Sequence, residues 1–206
     1  MIDYIPFNKQ TFDLFCAEGG YTTLRFDYDL DENSIVFDLG GYDGEWSSVM
    51  SKKYNCNFYI FEPVKSFYDD IANKLSSNPK IKIFNFGLGN KDESLEISIS
   101  RDSSSIFEKN GNKEIISIND FVKFLDENNV KNVQLLKINI EGAEYDVLEY
   151  LLSSGKITTF ESIYVQFHRF IPDCVERRNK IIEKLKETHN LVFCYDFIWE
   201  KWTRKA

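Results

Sequence analysis

Asp38 stands near the end of a short apolar run, Ile35–Leu39, and Gly40, Gly41 and Gly44 follow it closely. A strand, a tight loop and a helix are written this way when the loop lies against a nucleoside-containing cofactor. Gly40 and Gly41 let the backbone turn and approach a ligand without side-chain clashes, and Gly44 lets the next helix begin close to the sheet. Glu62 closes a second apolar run, Asn57–Phe61, with Pro63 behind it. A carboxylate at the end of a second strand, about 20 residues past the glycines, accepts hydrogen bonds from the hydroxyls of a ribose.

The loop reads Asp38-Leu39-Gly40-Gly41-Tyr42-Asp43-Gly44, which is not the Gly-x-Gly-x-x-Gly of dinucleotide folds. NAD brings a pyrophosphate, which seeks glycine amides and a helix start without a nearby carboxylate. S-adenosylmethionine (SAM) brings a sulfonium and an amino group, both cationic, which tolerate Asp38 and Asp43. The acidic loop therefore favours SAM, and the chain lacks the Tyr-x-x-x-Lys of many NAD-dependent oxidoreductases.

Residues 135–145 run from a buried-type strand through a glycine turn into a helix and carry Asn139, Glu141 and Glu144. Ligands of open parallel sheets bind beyond the carboxyl ends of the strands, which puts these three side chains at a cofactor edge. His168 ends a further apolar run, 163–167, on the same sheet edge. A neutral imidazole near pH 7 can take the proton of a weakly nucleophilic hydroxyl as a new bond forms. The alternative is a structural, hydrogen-bonded histidine. Glu141 offers a second proton acceptor, and Asn139 a hydrogen-bonding group without basicity. Arg169 has two open roles, orienting an oxygen-rich acceptor or pairing with a nearby acid. His189, the other histidine, falls at the polar end of a surface helix.

The elements that must position these groups alternate between strand-like and helix-like patterns, which predicts an α/β fold with a mostly parallel sheet. Strands are expected at Ile35–Leu39, Asn57–Phe61, a region from Ile81 through Phe86 to Gly87, Val133–Ile138 and 163–167. Leu95, Ile97 and Ile99 alternate with polar residues, as in a half-exposed antiparallel strand. Residues 101–113 read as a loop. Ile118, Phe121, Val122 and Leu125 predict a helix with Ser117 as N-cap. Residues 191–195 and 198–202 predict an antiparallel pair at the C-terminal end. Residues 7–16 read as helix and 21–28 as strand, together capping one domain, 1–206, with residues 1–30 as the cap segment.

Of the 206 residues, 43% are hydrophobic and 16% aromatic, a globular composition. A net charge of −8 opposes binding to a phosphate backbone, so no nucleic-acid partner is expected. No apolar run is long enough to span a membrane and no signal peptide is recognisable. The four cysteines lack metal or disulfide spacing and read as reduced, mostly buried thiols of a cytoplasmic protein.

With these motifs together, the chain resembles the FkbM-type SAM-dependent methyltransferases. The matching pieces are Val36-Phe37-Asp38-Leu39-Gly40-Gly41 with Gly44, Phe61-Glu62-Pro63, Gly87-Leu88-Gly89-Asn90, and Leu136-Lys137-Ile138-Asn139-Ile140-Glu141-Gly142-Ala143-Glu144. Family members commonly carry Asp where this chain has Asn139, and Asn is neither a base nor a strong metal ligand. The resemblance implies a single Rossmann-like class I domain with a seven-stranded sheet and O-methylation of a sugar, glycan or secondary-metabolite hydroxyl. It also implies that Asp38, Gly40 and the loop around Tyr42 bind the methionine part of SAM, Glu62 the ribose, and Phe86-Gly87 the region of the adenine. Some sugar O-methyltransferases use a divalent metal to polarise vicinal hydroxyls, and the residues leave that open. A methyltransferase for nucleic-acid amino groups would carry Asn-Pro-Pro-Tyr where Asn139-Ile140-Glu141-Gly142 stands. A SAM-binding module acting through a partner is the non-enzymatic alternative.

Overall fold

The computed structural model describes residues 8–99, 104–105 and 112–206. In chain order the elements are α1 (Lys9–Ala17), β1 (Ile35–Leu39), α2 (Glu45–Tyr54), β2 (Asn57–Phe61), α3 (Lys65–Leu75), β3 (Ile81–Phe84), β4 (Gly87–Gly89), β5 (Glu93–Ile99), β6 (Ser104–Ser105), β7 (Asn112–Asp120), α4 (Phe121–Glu127), β8 (Val133–Ile138), α5 (Glu144–Ser153), β9 (Phe160–Val165), α6 (Cys174–Thr188), β10 (His189–Tyr195) and β11 (Trp199–Arg204). A seven-stranded sheet has the order β10-β11-β9-β8-β1-β2-β3. Strands β3, β2, β1, β8 and β9 pair in parallel, while β11 is antiparallel to both β9 and β10. The fold is α/β with the antiparallel C-terminal pair expected from the sequence.

The strands read as apolar runs because both faces of the sheet are covered. Phe37, Leu39, Leu136 and Ile138 face α4, α5 and α6, while Val36, Leu135 and Tyr164 face α1, α2 and α3. Phe37 is fully buried, and its ring meets those of Tyr59, Phe61, Phe121, Phe124 and Phe160. The chain leaves the centre of the sheet at β1, fills one side through β3, and returns to β8. The crevice between β1 and β8 is thus a topological switch point, where ligands of open α/β sheets bind.

Several local expectations are corrected. The single strand expected from Ile81 to Gly87 is two, because β4 leaves the main sheet for a second, four-stranded one of order β4-β7-β5-β6. Ile118 lies in β7 rather than in a helix, and α4 starts at Phe121. Its N-cap is Asp120, not Ser117, and the Asp120 side chain accepts from the Lys123 amide. Residues 21–28 form no strand; a short π-helical turn, Gly20–Leu24, stands there, and Phe15 of α1 packs on Tyr195. The strand expected at 163–167 spans Phe160–Val165. His189 is 1% exposed and lies in β10, with its ring against the Phe160 carbonyl and the Thr188 hydroxyl. Cys56 and Cys174 are buried, whereas Cys16 and Cys194 are exposed. Most of the loop expected at 101–113 falls outside the described residues; Ser104–Ser105 and the start of β7 are strand.

Phe37→Ala is expected to cost about 3–5 kcal/mol, the range for emptying a buried aromatic site. Urea denaturation measures it, and a loss under about 1 kcal/mol would mean that the ring cluster does not organise this core.

Candidate active site

Strand register brings the chemistry together. Leu39 is level with Phe61 on one side and Ile138 on the other, so the next residues, Gly40, Glu62 and Asn139, leave the sheet side by side. The ladder continues past the strand ends, with Gly40 N–H donating to the Phe61 carbonyl at 3.0 Å and Asn139 N–H to the Leu39 carbonyl at 3.1 Å. Beyond these ends lies a cavity of about 370 Å³. Gly40, Tyr42, Glu62, Asn139 and Glu141 line its polar side; Val64, Phe67, Leu95, Ile97, Ile116 and Ile118 line an apolar side.

Glu62 is 4% exposed. One of its carboxylate oxygens accepts from the Tyr42 amide and the other from the Val64 amide, both at 2.9 Å. Each oxygen keeps a lone pair for a further donor. Burial raises the Glu62 pKa, the two amides and then the Lys137 charge pull it back, and it settles at about 7. Asn85 donates to the Glu62 and Pro63 carbonyls and fixes the turn that follows. The Asn139 Oδ1 atom is buried in the cavity wall with no hydrogen-bond partner among the described residues.

Glu144 is completely buried and ties three segments together. Its carboxylate accepts from the Gly142 amide at 2.8 Å, the His168 amide at 2.7 Å and, at 3.1 Å, the His168 ring Nδ1. The other ring nitrogen, Nε2, is 3.5 Å from Glu141 Oε1. Burial alone would lower the His168 pKa, but the hydrogen bonds and charges of Glu141 and Glu144 prevail and raise it to about 10. The two carboxylates thus favour the protonated ring, in contrast to the neutral imidazole expected from the sequence. His168 stands behind Glu141 and does not line the cavity.

Five more candidates lie outside the cavity wall. Asp38 is 1% exposed, and its two carboxylate oxygens are held by Lys137 Nζ at 2.7 Å and Ser47 Oγ at 2.6 Å. Gly41 faces inward: a Cβ there would lie 2.5 Å from Ile60 Cγ2. Asp43 turns the chain into α2 by accepting from the Glu45 amide. Phe86 joins a ring cluster with Phe61, Phe84 and Phe124, leaving Gly87 to line the cavity. Arg169 stacks its guanidinium on Phe197 and reaches the Asp196 carbonyl.

The family model described as methyltransferase FkbM domain matches residues 38–190. The chain belongs to the FkbM methyltransferase family. A search of curated proteins by sequence returns no match. Among solved structures, a proposed rRNA methylase from Clostridium thermocellum superposes with a TM-score of 0.54 at 12% identity, over 98% of this chain and 99% of that one. The fibrillarin/Nop5p complex gives 0.53 at 13% identity over 85% and 75% of the two chains. TrmK from M. capricolum, solved with S-adenosyl-homocysteine (SAH), gives 0.50 at 7% identity over 86% and 65%. These likenesses are to the class I, Rossmann-like methyltransferase fold.

The chain is thus a SAM-dependent methyltransferase of the FkbM family, and the cavity fits that donor. Glu62 has acceptor sites for a ribose, Asn139 Oδ1 lacks a donor among the described residues, and the apolar side suits a nucleobase. Among the described residues, no three His, Cys, Asp or Glu side chains are grouped to hold a metal ion. Sequence reasoning missed the apolar side of the cavity. Its signal was the alternation at Leu95 and Ile97, whose inward face meets the cavity rather than an ordinary core.

Folded Glu62 holds its proton up to about pH 7, whereas unfolded it titrates near 4.5. Between those values the folded state carries the extra proton, so this group's contribution to stability falls as pH rises. Glu62→Gln cannot titrate. Denaturation at a series of pH values is expected to show the variant gaining on the parent between pH 4.5 and 7, by up to about 3 kcal/mol. A difference that stays flat with pH would contradict the raised pKa.

Proposed function

We infer that this methyltransferase acts on oxygen, transferring the methyl group to a hydroxyl of a sugar or glycan, with Glu141 as the proton acceptor. The observation that carries this is the row Glu141, His168, Glu144. Glu141 lines the cavity in a left-handed backbone conformation, φ 50°, followed by Gly142 at φ 104°. That turn swings its carboxylate off the end of β8 to the cavity edge, while the His168 imidazolium, anchored on Glu144, holds it from behind.

SAM, when bound, supplies a methyl group on a positively charged sulfur. Glu62 would hold the ribose hydroxyls, and Gly40 and Tyr42 would form the wall beside the methionine part. Glu141 would accept the proton of the acceptor hydroxyl as its oxygen takes the methyl group, the electron pair of the broken bond staying with the SAM sulfur. Asn139 Oδ1 accepts a hydrogen bond from donor or acceptor and, being neutral, orients rather than deprotonates. Most of the rate enhancement comes from alignment in this enclosed site. The net charge of −8 supports a neutral, hydroxyl-rich acceptor over an RNA backbone. The four free cysteines support a cytoplasmic setting.

A labelled-methyl transfer screen tests the acceptor, using deoxysugars, oligosaccharides and polyketide alcohols, with ribosomal and transfer RNA alongside and with or without a chelator. Label in a sugar hydroxyl is expected. Transfer to RNA alone would reverse the acceptor class, and SAH binding without transfer would favour a binding module. Glu141→Gln is expected to lower kcat by about 10²-fold while sparing SAH affinity. Full turnover in that variant would remove Glu141 as the base.

A further inference from the structure

His168 sits in a segment, residues 166–173, that is neither helix nor strand. The β9 ladder reaches as far as the Gln166 amide, which donates to the Ile138 carbonyl at 3.0 Å. Two residues further on, consecutive side chains of α5 grip the backbone instead. Glu144 Oε1 accepts from the His168 amide at 2.7 Å, and the Tyr145 hydroxyl donates to the His168 carbonyl, also at 2.7 Å. Neighbours on a helix point about 100° apart, so the two side chains take residue 168 from different sides. Its ring then lies with Nδ1 3.1 Å from Glu144 Oε1 and Nε2 3.5 Å from Glu141 Oε1.

Tyr145 is itself firmly placed. It is completely buried, its ring is 5.2 Å from that of Phe167, and the Arg177 guanidinium stands 5.1 Å above it. Arg177 is fastened to α5 by Glu149 and Asp146. A phenylalanine would fill the same space without a hydroxyl to desolvate. What the tyrosine adds is the bond to the His168 carbonyl. Burial raises the Tyr145 pKa, so the hydroxyl keeps its proton and stays a donor.

We propose that Tyr145 is a positioning residue for proton transfer: its hydroxyl fixes the His168 carbonyl, and so the direction of the ring that holds the Glu141 carboxylate at the cavity edge. Tyr145 does not line the cavity and acts only through His168 and Glu141. The role rests on the reading of Glu141 as the proton acceptor.

Tyr145→Phe tests it in two backgrounds, the unaltered chain and Glu141→Gln. With the acceptor found in the transfer screen, the change is expected to lower kcat about tenfold in the unaltered chain, to spare the acceptor KM and the SAH affinity, and to have no further effect in Glu141→Gln. Equal losses in both backgrounds, or full turnover of the single variant, would overturn the role. Full turnover of Glu141→Gln would instead remove the base itself, a result read before Tyr145 is touched. A second readout needs no acceptor. The chain has two histidines, and the His189 ring is held elsewhere, by the Phe160 carbonyl and the Thr188 hydroxyl. In long-range ¹H–¹⁵N spectra, Tyr145→Phe is expected to shift and broaden the His168 ring signals and to leave those of His189 in place. Unmoved His168 signals would overturn the role. So would movement of both rings together, or a variant that no longer folds, since the hydroxyl would then serve the fold.

Discussion

At the seam between β1 and β8 the Lys137 ammonium and the Asp38 carboxylate lie within hydrogen-bonding distance, almost without access to water. Desolvating two charges costs several kcal/mol, and a buried pair seldom returns more than that in net stability. Its value is in specificity, since either charge alone would be costly in that position. The pair bridges β1 and β8 in the observed register, and Ser47 extends it to α2. Gly40, Glu62 and Asn139 leave the sheet level with one another because that register holds. A slip of one residue between the strands would put Asp38 and Lys137 on opposite faces and take the cavity's polar side apart.

The opposite side of the cavity has a different origin. Strands β5 and β7 pair over most of their length and bring Leu95, Ile97, Ile116 and Ile118 over the ends of β1 and β2. Strand β4 anchors this second sheet beside the domain core, and Gly87 allows the close approach: a Cβ there would lie 2.7 Å from Ile118 Cδ1. Charged acceptors therefore stand on one side and hydrocarbon on the other. A donor with a polar ribose, a cationic centre and a flat base meets a matching surface on each part of its length.

His168 shows how neighbours set chemistry. An isolated imidazole would be largely neutral at pH 7. Held between Glu141 and Glu144, the ring is biased toward its protonated form. Glu62 moves the other way relative to its charge, because burial outweighs the two amides that bind it. The His168 shift comes from groups far away in sequence, Glu144 being 24 residues from it, and the Glu62 shift from burial that only the folded chain provides.

The sequence by itself determined the α/β class, the five central parallel strands, the family, and which loops meet at the sheet edge. Those features are local: apolar runs of strand length, glycines at the turns, and acids at strand ends. The second sheet was not legible, because β4 is three residues long and Ile118 fits a helical stripe as well as a strand. Tertiary structure alone decided which face each side chain presents. Asp38, Gly41 and Asp43 belong to the same motif as Gly40 and Tyr42, yet packing against Lys137, Ile60 and the start of α2 turns them from the cavity. It also decided protonation, since the electrostatic neighbours of Glu62 and His168 are brought close only when the strands align. Residue type and spacing can place a group at the right edge of a sheet, but its charge and direction depend on contacts that exist only in the folded chain.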